Sequence, residues 1–262
     1  QTWLSCEEIP EGLIWECDPV GRSAAQARPA LGLFSHEAVA IDAGRRVIYM
    51  TEDMPEGRLY RWLPAAGDWP VGGRPALANG RLQVMDVPTG VAKALTTPQR
   101  VVWRDALEPT LAQSEHRRED SAAFDGGEGI WLFDDFIFFA TKGDNRIWVY
   151  DIQSETLEVL YDLATDSNPI LSGVDNITVT DRGDVLVAED GGDMQIVVIL
   201  PDGQLKPLLQ IVGQDQSEVA GIAFSPDGRR LYFTSDRGSN QDVGGQRVGL
   251  GVTYELMLPA GL

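Results

Sequence analysis

Two acidic patterns recur along this chain about every 45 residues, and both carry the oxygen chemistry of metal ligands. The first is a carboxylate pair closing a hydrophobic strand. It appears as Glu7-Glu8 after Trp3-Leu4-Ser5-Cys6, as Glu52-Asp53 after Val47-Ile48-Tyr49-Met50-Thr51, and as Glu189-Asp190 after Val185-Leu186-Val187-Ala188. Asp236, after Leu231-Tyr232-Phe233-Thr234-Ser235, is a weaker copy. The second pattern is an acid that opens the strand just before: Glu37, Glu128, Asp175 followed by Asn176, and Glu218. Two unit charges about 4 Å apart repel by on the order of 4 kcal/mol at an effective dielectric near 20. A convergent set therefore binds cations or gives up its charge. Carboxylates with an asparagine suit a hard ion such as Ca²⁺. Cys6 in the same ring points instead to a softer or transition-metal position. The competing account is that each acid caps a turn or pairs with an arginine.

The elements that must position these side chains are short strands. Runs rich in Val, Ile, Tyr, Phe and Trp are broken by Gly, Asp, Asn and Pro, and helix signals are scarce. The pattern predicts strands near 2–7, 13–18, 36–42, 46–52, 58–63 and 82–87, then 129–134, 136–142, 146–151 and 156–162. Further strands are predicted near 174–180, 184–189, 195–200, 205–211, 220–225, 231–235 and 251–257. Pro201-Asp202-Gly203 and Ser225-Pro226-Asp227-Gly228 read as tight turns between antiparallel strands. Four short strands per period predict an all-β fold, a single β-propeller of four-stranded antiparallel blades over residues 1–262.

Residues 36–87, 129–162 and 174–211 form complete blades in this reading, and 220–257 most of another. Residues 2–34 form a blade without its innermost strand, because Trp3–Glu8 aligns with second strands elsewhere. The expectation is a propeller that extends upstream of Gln1. In a blade the innermost strand starts at the face where the second strand ends. Glu7, Glu37, Glu52, Glu128, Asp175, Glu189 and Glu218 are therefore expected at one mouth, with Lys142 and Arg146 too few to neutralise them.

Composition narrows the partners. With 21 basic and 40 acidic residues the net charge is −19, which argues against nucleic acid and anionic membrane surfaces. No run approaches the roughly 20 apolar residues of a membrane helix, and no signal peptide is visible. Cys6 and Cys17 flank a predicted turn at Pro10-Glu11-Gly12, where residues with indices summing to about 23 would face each other. A disulfide, two thiols and a thiolate metal ligand at Cys6 are all open. An insertion over about 104–123, with the charge run Glu115–Asp120, reads as a solvated loop or short helix. No serine-hydrolase elbow, phosphate loop, dinucleotide fingerprint or zinc spacing occurs, and Gly126-Gly127-Glu128-Gly129 reads as a close backbone approach.

The segment Thr2-Trp3-Leu4-Ser5-Cys6-Glu7-Glu8 resembles the "TWLTCEE" block of the PhoX-type alkaline phosphatases. The likeness continues, in order, through Phe34-Ser35-His36-Glu37, Tyr49–Asp53, Leu59-Tyr60-Arg61-Trp62 and Gly127-Glu128-Gly129. It then runs on through Asp175-Asn176, Ala188-Glu189-Asp190, Glu218-Val219-Ala220-Gly221 and Phe224–Gly228. The resemblance implies a six-bladed propeller exported to the periplasm or beyond, carrying calcium (Ca²⁺) and a di-iron (Fe³⁺) centre, and hydrolysing small phosphate esters. It implies Cys6 as an iron ligand, with Glu37 and Glu128 beside the iron pair; these three would form the catalytic centre. Glu7, Asp175, Asn176, Glu189 and Glu218 would be metal ligands or their supports, with calcium as the ion. One departure stands out: where that family has an arginine two residues before the Glu128 position, this chain has Gly126.

The leading expectation is thus a metal-dependent phosphoric ester hydrolase. The alternative is a non-catalytic calcium-binding propeller in protein contacts or an extracellular assembly, and fold alone does not choose. A lactonase-like ester hydrolase with one calcium would need fewer of these ligands.

Overall fold

A computed structural model describes residues 2–87, 97–238, 240–243 and 246–258. The chain is all-β, and its sheets are antiparallel meanders of the propeller class. The first sheet holds β1 (Trp3–Cys6), β2 (Ile14–Cys17) and β3 (Gln26–Ala27). The second holds β4 (His36–Asp42), β5 (Val47–Glu52), β6 (Leu59–Pro64) and β7 (Gly80–Asp86) in order. After β8 (Gln99–Arg100), which joins the third sheet, β9 (Val102–Asp105) adds a fifth strand to β7. A single helical turn, α1 (Gln113–His116), precedes the third sheet of β10 (Gly127–Phe133), β11 (Phe136–Thr141), β12 (Arg146–Asp151) and β13 (Thr156–Asp162). The fourth contains β14 (Val174–Val179), β15 (Val185–Glu189), β16 (Gln195–Ile199) and β17 (Leu205–Gln210). In the last, β18 (Val219–Phe224) and β19 (Arg230–Ser235) are followed by the hairpin β20 (Asn240–Val243) and β21 (Gln246–Gly249); β22 (Val252–Met257) then pairs with β19. Among the described residues no helix is long and apolar enough to cross a membrane.

Two compact units divide the chain: Gln1–Gly143 with Trp148–Val159, and Asp144–Ile147 with Leu160–Leu262. The first unit has two apolar cores. One gathers Tyr49, Phe124, Phe139, Trp148 and Tyr150; the other gathers Phe34, Met50, Tyr60, Trp62 and Trp69. Strand β5 is buried along its whole length, as a strand covered on both faces must be. The second unit packs Leu186, Ile196, Val219, Leu231 and Phe233. Such aromatic and β-branched side chains fit the pleated, half-buried surface of a strand. The two predicted Asp-Gly turns form, closed by Gly203 N–H to Leu200 O at 2.8 Å and Gly228 N–H to Ser225 O at 2.8 Å.

The observed register corrects one expectation. Trp3 faces Cys17 and Cys6 faces Ile14, so paired indices sum to 20 rather than about 23. The loop between β1 and β2 sets this register, and both cysteines are free thiols. The stretch about 104–123 contains the short helix α1, one of the two forms expected for it. Its first residues belong to β9, where Trp103 Nε1 donates to Tyr150 Oη at 3.0 Å and Arg61 stacks 4.5 Å from the Trp103 ring centre.

Candidate metal centre

The two acidic patterns of the sequence occupy two different structural positions. The opening acids lie in β-bulges. Pairing of β4 with β5 runs from His36–Glu52 to Val39–Met50, so Glu37 and Ala38 together oppose Thr51, one residue in excess. Pairing of β10 with β11 skips in the same way around Glu128 and Gly129, and β14 with β15 around Asp175 and Asn176. A bulge lifts a residue out of the ladder and re-aims its side chain. Strand β18 has its bulge later, at Gly221 and Ile222; Ala220 takes the matching place, and Glu218 lies just before the strand.

In the first unit two bulges are linked directly. Ala38 N–H donates to Thr51 Oγ1 at 3.1 Å, and that hydroxyl donates to Glu128 O at 2.6 Å. Oxygens of Glu37 and Glu128 consequently lie within 4.8 Å of each other. Cys6 lies near Glu37 but outside this 4.8 Å group, its thiol pushed up to about 12 by burial and by the charge of Glu37. An open groove of about 460 Å³ runs between β1 and β4, with Cys6 and Glu37 in its wall. Lys142 Nζ reaches Glu128 Oε1 at 2.9 Å, and its backbone N–H donates to Gly126 O at 2.9 Å. The glycines here serve the approach: a Cβ on Gly127 would lie 2.9 Å from Glu52 O, and Gly126 sits at φ +70°, where a side chain is strained.

The closing glutamates do something else. Glu7 Oε2 accepts the Leu13 N–H, Glu52 Oε2 the Arg58 N–H, and Glu189 Oε2 the Gln195 N–H, each at 3.0 Å. In every case the acid takes an amide six residues ahead and closes the turn into the next strand. Glu189 also accepts the Ser172 N–H at 2.9 Å, and burial pushes its carboxyl up. Fully buried Glu52 accepts from Tyr60 Oη at 3.3 Å and from Arg117 at 2.5 Å, and desolvation pushes it up as well. Arg117 comes from the charge run that the sequence assigned to solvent; Arg118 and Asp120 of that run pair with each other. Arg58 Nε donates to Ser121 Oγ at 2.8 Å, fastening the same insertion. Among the described residues, no group of ligand-forming side chains within 4.8 Å includes Glu7, Glu52 or Glu189.

In the second unit Asp175, Asp190 and Glu218 offer oxygens within 4.8 Å of one another. Asp190 and Glu218 are held together by a backbone bridge, and Gly191 N–H donates to Ser217 O at 2.8 Å. Arg237 spans the group, 2.5 Å from Asp190 Oδ1 and 3.3 Å from Glu218 Oε2. Asn176 uses both ends of its amide: Oδ1 accepts the Gly221 N–H at 2.9 Å and Nδ2 donates to Asp175 Oδ1 at 3.2 Å. The sequence reading chose Glu189 and passed over Asp190. Successive residues of a strand point to opposite faces, so only one member of each pair reaches a given side.

These donor sets fit the ions that the resemblance implies. Three carboxylates in the second unit form an all-oxygen site for Ca²⁺. Two carboxylates in the first unit, with a thiol near Glu37 but outside their 4.8 Å group, offer the mixed donors of a transition-metal position.

The family model of the alkaline phosphatase PhoX matches residues 4–153 and 140–236. No curated protein matches the chain. Among solved structures, Pseudomonas fluorescens PhoX in complex with vanadate, a transition state analogue, is 17% identical with a TM-score of 0.69. That match covers 92% of this chain but 57% of the other, so the chain spans little more than half its length. XC5397, a gluconolactonase from Xanthomonas campestris, is 15% identical with a TM-score of 0.55, covering 98% of this chain and 69% of that one. A chain of a nidogen/laminin complex is 18% identical with a TM-score of 0.54, covering 90% and 71%. At such identities these structures share the fold.

Proposed function

The chain belongs to the PhoX alkaline phosphatase family, and from that premise we propose that it is a metal-dependent phosphoric ester hydrolase acting on a small phosphate ester. The observation that carries this reading is the bulge pair Glu37–Glu128, with Cys6 near Glu37 and the Lys142 ammonium on Glu128. Hydrolysis of a phosphate ester needs anionic ligands that hold cations and a donor that steers the anionic substrate among them. In this reading Cys6, Glu37 and Glu128 hold Fe³⁺, and Asp175, Asp190 and Glu218 hold Ca²⁺. Glu7, Glu52, Glu189 and Asn176 hold the strand ends on which those ligands sit. When bound, such ions supply Lewis acidity toward phosphoryl oxygens.

Lys142 orients the substrate. Its ammonium is partly exposed and carries three donors on a flexible stem, so it can share its bonds between Glu128 and a phosphate oxygen. This assigns to Lys142 the anion-steering duty that a fixed guanidinium at position 126 would perform. Arg146 is committed elsewhere, to Asp162 at 2.9 Å. We assign the protein to the periplasm or the extracellular space, as for the exported relatives that the resemblance names.

Turnover of an aryl phosphate by purified protein tests the proposal. A chelator, or Cys6→Ala, is expected to abolish it; full activity after either treatment contradicts it. Gly126 favours a second reading, a non-catalytic calcium-binding propeller that makes protein contacts. Metal analysis separates the two, since that reading expects calcium without iron.

A further inference from the structure

We propose that Arg237 is a built-in counter-cation of the Asp175–Asp190–Glu218 cluster, and that its guanidinium competes with a divalent ion for the same oxygens. This rests on the reading that the cluster takes Ca²⁺, and it is independent of whether the protein turns over an ester. Arg237 is the first residue beyond the region matched by the family model, which ends at residue 236.

The backbone of Arg237 is locked. Its N–H donates to the buried Ser217 hydroxyl at 2.9 Å, and the Gly238 N–H donates to the same oxygen at 3.0 Å. Ser235 Oγ, with its own backbone in β19, lies 2.7 Å from that hydroxyl oxygen. Only glycine fits after Arg237, because a Cβ at 238 would lie 1.7 Å from Leu250 O at φ +54°. The side chain is held differently. Nη2 meets Asp190 Oδ1 at 2.5 Å, Nη1 meets Glu218 Oε2 at 3.3 Å and Nε donates to Gln216 O at 3.1 Å, while the side chain stays 49% exposed. A half-exposed ion pair is weak and readily exchanged. Its anchors are rigid, so the guanidinium can leave by rotamer change alone.

A Ca²⁺ ion seeks six to eight oxygens, and Arg237 now occupies one oxygen on each of two ligands. A divalent ion at this cluster meets the positive charge of the guanidinium and competes for those two oxygens, so the arginine raises the calcium concentration at which the cluster fills.

Calorimetric titration with Ca²⁺ at low ionic strength tests this on the full chain, using wild type, Arg237→Met and Arg237→Lys, with folding checked by thermal denaturation. Removing the charge while keeping the stem is expected to tighten Ca²⁺ binding at this site by roughly 10-fold or more, with Arg237→Lys in between. A merely structural arginine would move affinity the other way. Equal or weaker binding by folded Arg237→Met overturns the competition while leaving the calcium reading intact. If the Met variant does not fold, Arg237→Lys decides by the same sign. Absence of Ca²⁺ binding in wild type and variants alike overturns both.

Discussion

Glu37 and Glu52 lie 15 residues apart in one sheet, and Asp175 and Glu189 lie 14 apart in another, yet the two kinds of acid meet opposite surroundings. Glu7, Glu52 and Glu189 each accept the amide six residues ahead, and Glu52 is sealed by Arg117 and Tyr60. Glu37, Glu128 and Asp175 sit in bulges, gathered with other acids, and Glu128 is met by the partly exposed Lys142. A carboxylate whose oxygens are spent on backbone amides closes a turn; a carboxylate lifted from the ladder by a bulge is a ligand in waiting. The repeat preserves both because the blade needs the first to place the second.

The largest expected effect lies in the closing set. Glu52→Ala leaves Arg117 and the Arg58 amide without their acceptor in a buried site, and removing one partner of a buried pair costs about 3–5 kcal/mol. Urea unfolding should show this; a loss below about 1 kcal/mol, the range of an exposed pair, would erase the distinction between the two sets.

Alkaline pH should attack the same ring. Burial pushes the phenols of Tyr49, Tyr60 and Tyr150 up, and Tyr60 donates to Glu52. Above the ordinary value of 10.0 the unfolded chain ionises while the folded phenols stay protonated, so stability falls as pH rises past 10. Each such phenol contributes about 1.4 kcal/mol per pH unit. Unfolding titrations at pH 8 and pH 11 with similar midpoints would contradict this.

The bulge side sharpens through Lys142. Lys142→Ala should raise KM for an aryl phosphate by roughly 10-fold or more, since a hydrogen bond to a charged group is worth about 1.5–3 kcal/mol. An unchanged KM removes lysine from substrate binding. Glu189→Gln keeps one acceptor oxygen for two amides and should cost about 1–3 kcal/mol. The smallest effect is expected at Glu37, which is only half-buried: Glu37→Gln should change stability by less than about 1 kcal/mol.

Much of this was legible in the sequence because strands announce themselves locally. The runs predicted at 36–42, 146–151 and 156–162 match β4, β12 and β13 residue for residue. The bulge acids Glu37, Glu128 and Asp175 were identifiable from their period. What failed to show were long-range facts. Glu52 and Asp53 look equivalent in a string, and only an arginine 65 residues away reveals which is buried. Asp190 was passed over for Glu189 for the same reason. The Cys6–Ile14 register depends on turn geometry that a proline and a glycine do not specify. Strands β3, β8 and β9 are short and lack alternation, so neighbouring sheets, not their own residues, define them.

Metal analysis of purified wild type, the Glu37→Gln/Glu128→Gln double variant and Glu189→Gln tests the central claim most directly. The account predicts iron and calcium in wild type, loss of iron in the bulge variant with its fold intact, and full metal content in Glu189→Gln. Metal-free wild type, or a bulge variant that holds as much iron as wild type, would contradict it.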